Sequence, residues 1–318
     1  MNIGILGTGF MAKIHAQIYK SLADVKIVGM AGRDGLRAEE AAQNYGAKAY
    51  ENPSGLFKEA SIDVIDVCLP TAIHAEYAIE ALKSGKHVFC ETPLTYEIED
   101  AEKMLEASKQ TEKKLMVALY DRFQSQYMFI HEFIKSGKIG KLKAIFANRR
   151  SQSYFASKDI VLNLMIHDID YICWLLGMPE SVYCRGISSD KGIDEHASAI
   201  LEYADMSVSV EGSVILPKSF PFSTSLRVVC ENGALDLDWH MEESGPVNNL
   251  VLYTGEGRGE KLDIMDYDPY SAECMHFIKC VKGEADSSVF DIKSALDSIK
   301  VAVSVRESFR KGGMKIRI

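Results

Sequence analysis

Short apolar runs alternate with stretches of helical period through the first 120 positions. NIGILG (2–7), KIVGMAG (26–32), VIDVCLP (64–70), HVFCE (87–91) and LMVALY (115–120) predict strands, and the segments near 10–21, 35–45, 74–84 and 97–110 predict helices. Strands apolar on both faces and separated by helices point to a parallel sheet covered on each side. After Tyr120 the rhythm changes. A helix near 125–136 leads through SGKIGKL to a strand at 143–150 and a helix at 160–176. From 181 to 266 strand-like runs dominate, joined by short turns such as ENG (231–233), which indicates antiparallel pairing. Helices near 270–283 and 291–310 and a short MKIRI strand close the chain. The pattern predicts an α/β Rossmann domain, a doubly wound parallel sheet, over 1–120. An α+β domain with a large open, mainly antiparallel sheet is predicted over 121–318.

Composition agrees with two domains. The chain has 318 residues, 47% hydrophobic and 25% charged, and domains commonly hold about 100–200 residues. A net charge of −9 argues against nucleic acid or an anionic membrane as partner, because both select basic patches. Arg149-Arg150 reads as part of a solvated face. The seven cysteines form no C-x-x-C pair and sit mostly in apolar runs. They read as buried thiols of a cytoplasmic protein with no structural metal. No run of about 18 apolar residues predicts a transmembrane helix, and MNIGILGTGF reads as a strand rather than a signal peptide.

The chemistry begins at Gly7-x-Gly9-x-x-Ala12, directly after the first strand and at the start of a helix. The first glycine makes the tight turn, the second lets backbone approach a pyrophosphate, and the small third residue lets helix pack on strand. At the second strand end the chain reads Ala31-Gly32-Arg33-Asp34. A carboxylate there would bind a ribose 2′-OH and select NAD; a basic residue would accept the 2′-phosphate of NADP. Gly32 stands where the carboxylate is expected, Arg33 follows, and Arg37 lies one helical turn on. A one-residue shift would make Asp34 the ribose ligand, but it reads more simply as the cap of the following helix. The balance favours NADP over NAD.

Five stretches carry a resemblance: GILGTGFMAKIHA (4–16), CLPTAIHAEYAIEALKSGKHVFCETPLT (68–95), FIKSGKIGKLKAI (133–145), IHDIDYICWLLG (166–177) and LRVVCENGALDLD (226–238). Over essentially its whole length the chain resembles the glucose–fructose oxidoreductase/inositol dehydrogenase (Gfo/Idh/MocA) family. The resemblance implies a nicotinamide cofactor in the first domain. It also implies a sugar, cyclitol or related polyhydroxylated substrate over the second domain's sheet, and a homodimer or homotetramer formed through that sheet. It implies that Thr8, Phe10 and Met11 line the cofactor phosphates and ribose. Leu69, Pro70, Thr71 and His74 would flank the path from adenine to nicotinamide, and Glu91 would reach the nicotinamide ribose beside the Pro93 bend. His74 reads equally as a locally packed first-turn residue.

Two departures stand out. Where the family carries Glu-Lys-Pro, this chain has Glu91-Thr92-Pro93, and threonine neither carries positive charge nor acts as a base near neutral pH. Where the family carries an Asp four residues before a His, NLMIHDID has Asn163 before His167. Positions i and i+4 share a helix face, and Asp170 could orient the His167 ring. His167 is the expected acid/base; Lys158, Tyr154, Tyr120, Asp121 and Arg122 are further candidates. The departures leave two alternatives to a dehydrogenase: a silent dinucleotide-binding sensor or partner protein, and a nicotinamide-dependent glycosidase.

Overall fold

The computed structural model describes residues 1–152, 158–255 and 257–318. The chain forms two compact units: 1–123 with 268–296, and 124–267 with 297–318.

In the first unit, β1 (Asn2–Leu6), β2 (Lys26–Ala31), β3 (Lys48–Tyr50), β4 (Val64–Val67), β5 (His87–Cys90) and β6 (Leu115–Val117) form one sheet. Its order is β3-β2-β1-β4-β5-β6, and every pairing is parallel. The connecting helices are α1 (Phe10–Ser21), α2 (Gly35–Tyr45), α3 (Pro53–Lys58), α4 (His74–Lys83) and α5 (Ile98–Thr111). β3 and α3 escaped the sequence pattern, because three residues of strand and six of helix are too short to show a period. Register carries the functional consequence. Leu6 pairs with Ala31 and with Val67, and Val67 pairs with Cys90. The residues that follow, Gly7, Gly32, Cys68 and Glu91, therefore leave the sheet along one carboxyl edge. The strand order reverses at β1, and open α/β sheets bind ligands at such a reversal.

α8 (Pro269–Lys282), within the stretch 121–318 expected as the second domain, packs in the first unit. Asp268 caps it by accepting from the Ser271 amide, and Pro269 occupies its first turn. Its apolar face supplies Cys274, Phe277, Ile278 and Cys280 to the core that also holds Ile3, Ile5 and Phe89. The Phe277 ring stacks on Phe89 at 4.8 Å. A contact made across so many intervening residues leaves no local periodic signal. Arg122, fully buried in a 3-10 turn (Tyr120–Phe123), donates to the Val289 carbonyl and the Ser294 hydroxyl. It thus ties down the chain before α9 (Ile292–Arg310).

In the second unit a nine-stranded sheet has the order β14-β13-β12-β11-β7-β10-β9-β8-β15. The strands are β7 (Leu142–Gln152), β8 (Ser181–Ser188), β9 (Asp194–Tyr203), β10 (Met206–Leu216), β11 (Ser223–Cys230), β12 (Gly233–Glu242), β13 (Gly245–Tyr253), β14 (Glu260–Leu262) and β15 (Ile316–Arg317). Among the described residues, only β7 and β10 pair in parallel in this sheet. α6 (Ser125–Lys135), a π-helical turn (Val161–Met165) and α7 (Ile166–Leu176) belong here, so the stretch expected as one α-helix opens with a widened turn. Alternation along the strands buries Ile145 and Ala147, Ala199 and Leu201, and Val208 and Val210. The opposite face carries one cross-strand row: Tyr183, Ile200, Ser209, Phe146, Arg227 and Asp236. Arg149 corrects the expectation of a solvated pair. It points inward, buried, and its Nε donates to Asp168 at 2.9 Å, while Arg150 pairs with Glu211 on the outer side.

Candidate active site

The carboxyl edge of the first unit's sheet holds a hollow of about 490 Å3. Gly7, at φ +124°, makes the turn out of β1, and a Cβ there would lie 2.3 Å from the Cys68 carbonyl oxygen. Gly9 is the N-cap of α1, with open space where its side chain would be. No side chain caps α1 and no acid stands in its first turn. Its leading N–H groups and the positive end of its dipole are left to an anion. Ala12 is fully buried, which lets α1 pack on the sheet. Thr8, Phe10 and Met11 complete this wall, Gly32 and Arg33 form the second, and Cys68, Leu69, Pro70, Ile73, Glu91 and Thr92 form the third. Phe10 is 74% exposed at the rim. These features fit a dinucleotide.

Of the remaining cofactor candidates, Arg37 points to solvent and pairs with Asp34 at 3.6 Å. Asp34 caps α2 by accepting from the Arg37 amide, as its sequence position suggested. Thr71 opens a 3-10 turn (Thr71–Ile73) ahead of α4. His74 is buried, with Nδ1 3.1 Å from the Pro93 carbonyl and Nε2 2.7 Å from the Leu69 carbonyl. Burial lowers its pKa although these carbonyls oppose the shift. It ties the loop after β4 to the loop after β5, where the Thr92–Pro93 bond is cis, and so lies behind the hollow's surface.

Beneath Glu91 lies a buried cluster with no foreseen role. Both oxygens of the Glu91 carboxylate are engaged: Oε2 accepts from the Thr92 amide at 3.1 Å, and Oε1 lies 3.2 Å from His15 Nε2. His15 Nδ1 lies 2.9 Å from Asp66 Oδ2. Burial works against a charged His15, but the Asp66 carboxylate, with smaller contributions from Cys68 and Cys274, outweighs it and holds the pKa well above the ordinary histidine value. Burial pushes the Cys68 thiol far up. Ligand atoms of His15, Cys68 and Glu91 come within 4.8 Å of one another, a spacing a metal could also span. Glu273 of α8 is completely buried, and neither carboxylate oxygen finds a hydrogen bond. Burial, then the Glu91 charge, raise its pKa well above the usual carboxylate range. Asp66 had a readable signal: a carboxylate within an apolar run expected to be buried on both faces requires a partner. His15, on the buried side of α1, and Glu273, in α8, had none without the tertiary structure.

In the second unit, Asn163 lies exposed in the π-helical turn, and its side-chain amide donates to the Asp159 carbonyl at 2.8 Å. His167 follows in the first turn of α7, half-buried. Single π-turns within helices concentrate at functional sites. Asp170 is buried and accepts from the Ser298 hydroxyl at 2.7 Å. Lys158 is exposed, and its carbonyl accepts from Arg310 Nη2. Tyr154 lies outside the described residues. The Tyr120 ring lies 4.5 Å from that of Tyr270, tilted by 42°, and Asp121 is buried.

A doubly wound sheet with a glycine-turn hollow at its switch point, joined to an open mixed sheet, defines a class of nicotinamide-dependent oxidoreductases. Residues 1–119 match the oxidoreductase family with an NAD-binding Rossmann fold, and residues 127–236 match the GFO/IDH/MocA C-terminal domain. Inositol 2-dehydrogenase of Rubrobacter xylanophilus is 30% identical over 82% of this chain and 76% of its own. The scyllo-inositol 2-dehydrogenase (NAD(+)) of Bacillus subtilis is 25% identical over 97% and 94%. The match to myo-inositol 2-dehydrogenase of Thermotoga maritima, at 30% identity, spans 58% of each chain. Among solved structures, UDP-N-acetylglucosamine 3-dehydrogenase of Acidithiobacillus ferrooxidans superposes with a TM-score of 0.85 at 21% identity, covering 98% of both chains. The chain belongs to the Gfo/Idh/MocA family of NAD(P)-dependent oxidoreductases.

Glu273 generates a stability prediction. Below the ordinary glutamate value of 4.5 the side chain is neutral in both folded and unfolded chains. Above it the unfolded chain ionises while the buried carboxyl keeps its proton, so stability falls with rising pH until the raised folded value is passed. Glu273→Gln removes this loss. Thermal melts should show near-equal Tm for variant and wild type at pH 4.5, and a variant higher by about 2–4 °C at pH 8. An equal gap at both pH values would contradict the assignment.

Proposed function

We propose that this protein transfers a hydride between NADP and a hydroxyl-bearing carbon of a sugar, cyclitol or related polyhydroxylated compound. The observation that carries the reading is the hollow at the carboxyl edge, where an uncapped helix N-terminus faces a glycine turn. The family's relatives named inositol dehydrogenases support the substrate class. Gly7, Gly9 and the α1 amides would hold the phosphates, Arg33 the 2′-phosphate, and Glu91 and Thr92 the nicotinamide end. The bound cofactor supplies the hydride chemistry itself. The chain supplies positioning and one proton-handling group at the substrate oxygen, for which His167 is the candidate. Arg33 on the wall, with Asp34 turned away to cap α2, supports NADP over NAD. All seven cysteines are free thiols and six are buried, which supports a cytoplasmic setting.

The two departures bear on mechanism. With Thr92 in the wall, no lysine lines the hollow among the described residues, and Asn163 offers only a neutral amide. This favours a reaction in which one imidazole gives or takes the proton. The outer row of the nine-stranded sheet, with Phe146 45% and Ile200 39% exposed, supports a homodimer or tetramer formed through that face.

Fluorescence titration should show NADPH binding more tightly than NADH. Arg33→Ala should weaken NADPH about tenfold, by loss of a charged phosphate contact, and leave NADH unchanged. Unaltered NADPH affinity in the variant would refute the 2′-phosphate assignment.

On a panel of cyclitols, sugars and their keto forms, turnover with a net change in NADPH absorbance is expected. His167→Ala should lower kcat by about 10²–10⁴-fold with cofactor affinity retained. Cofactor binding without turnover on any member would favour the sensor reading, and substrate cleavage without net absorbance change the glycosidase reading.

Sedimentation at micromolar concentration should give a dimer or tetramer, and Ile200→Asp should shift it to a smaller species. A wild-type monomer would end that assignment.

A further inference from the structure

His15 stands with a carboxylate at each ring nitrogen: Asp66 Oδ2 2.9 Å from Nδ1, and Glu91 Oε1 3.2 Å from Nε2. Its side chain is 0% exposed, and Glu91 is 13% exposed in the wall of the hollow. An ionised carboxylate only accepts, so Nδ1 carries the proton donated to Asp66, and a second proton on Nε2 would set a positive charge facing Glu91. The second contact falls short of hydrogen-bond alignment, leaving Nε2 and Oε1 as buried atoms with a charge interaction and no hydrogen bond. An uncharged ring would leave two carboxylates without compensation in a buried site, which is costly.

We propose that His15 is a positioning residue. Held as a cation by Asp66, it fixes the Glu91 carboxylate in the wall of the dinucleotide hollow and tempers that carboxylate's attraction for the positively charged, oxidised nicotinamide ring. The proposal rests on the dinucleotide reading of the hollow. Oxidised and reduced nicotinamide differ by one positive charge at the ring, so the net charge beside Glu91 decides how far the site prefers one over the other. A fully compensated Glu91 would discriminate little; an uncompensated one would retain the oxidised form and slow its exchange for the reduced form.

The groups around His15 are all identifiable. Tyr19 lies on its own helix, ring to ring at 6.2 Å. Asp66 and Cys68 come from β4 and the residue after it, and Glu91 follows β5. From α8, Cys274 and Glu273 face it, with Tyr270 near Glu91. Burial raises the pKa of Tyr19, Cys68, Cys274, Tyr270 and Glu273, which works against a charge on any of them. Asp66 and Glu91 are the carboxylates in contact with the His15 ring, and a protonated His15 is the group that opposes the Glu91 charge.

Two measurements on the full chain test this. The first needs no cofactor: nitrogen chemical shifts of ¹⁵N-histidine-labelled protein from pH 6 to 9, with His15 assigned by its absence in His15→Gln. Wild-type His15 should keep imidazolium shifts at pH 7.5, while in Asp66→Asn the ring should titrate at or below about 6.5, the ordinary value. The second is calorimetric titration with NADP+ and with NADPH at each pH. The wild-type ratio of the two dissociation constants should be flat near neutrality. In Asp66→Asn the ratio should move about tenfold toward NADP+ as pH rises and the ring loses its charge, the scale of one opposite charge at this range. Glu91→Gln, altered at the hollow's wall, should move it about tenfold the other way. Should Asp66→Asn fail to fold, the Glu91→Gln ratio and the wild-type nitrogen shifts decide. A neutral wild-type ring at pH 7.5, or a wild-type ratio retained in Glu91→Gln, overturns the proposal while leaving the cofactor reading intact. Failure of wild type to bind either cofactor overturns both.

Discussion

The parallel hydrogen-bond register of β1 with β2 on one side and β4 on the other is the constraint on which the site depends. Pairing of Leu6 with Ala31 and Val67 brings four strand ends out along one edge. A slip of one residue would turn every side chain to the other face of its strand and carry Gly7 away from the Cys68 carbonyl that leaves no room for a Cβ. The buried runs on both faces hold this register, because Ile3, Ile5, Val64, Ile65 and Val67 have no exposed alternative.

Electrostatics beneath that edge follow from burial. Asp66 in a fully buried strand demands a cation, and α1 supplies His15 from its inward face. The histidine in turn confronts Glu91, the residue where β5 leaves the sheet. Glu273 lies in the same region with no hydrogen-bond partner, and burial favours its neutral form. A protonated His15 between two carboxylates would leave the cluster one net negative charge instead of two.

The second unit solves a different problem. Its sheet buries one face by strict alternation, yet places Arg149 inward, where Asp168 of α7 meets it. Such buried pairs add little net stability compared with apolar packing; breaking one leaves an uncompensated charge. The pair joins β7 to the helix that carries His167, and so helps hold that helix on its sheet.

Much of this was legible locally. Runs apolar on both faces, the helical periods between them and Gly7-x-Gly9-x-x-Ala12 determined a doubly wound sheet with a dinucleotide turn, because these features are set by neighbours a few residues apart. The Asp34 cap and the alternation in 181–266 were readable for the same reason. Only the tertiary structure decided the rest. It returned α8 to the first unit through Phe277 and Cys274, turned Arg149 inward, left Lys158 in solvent, and gathered His15, Asp66, Glu91 and Glu273 into one buried cluster. Those contacts join residues far apart in the chain, and which charges are buried together depends on packing that no local pattern encodes.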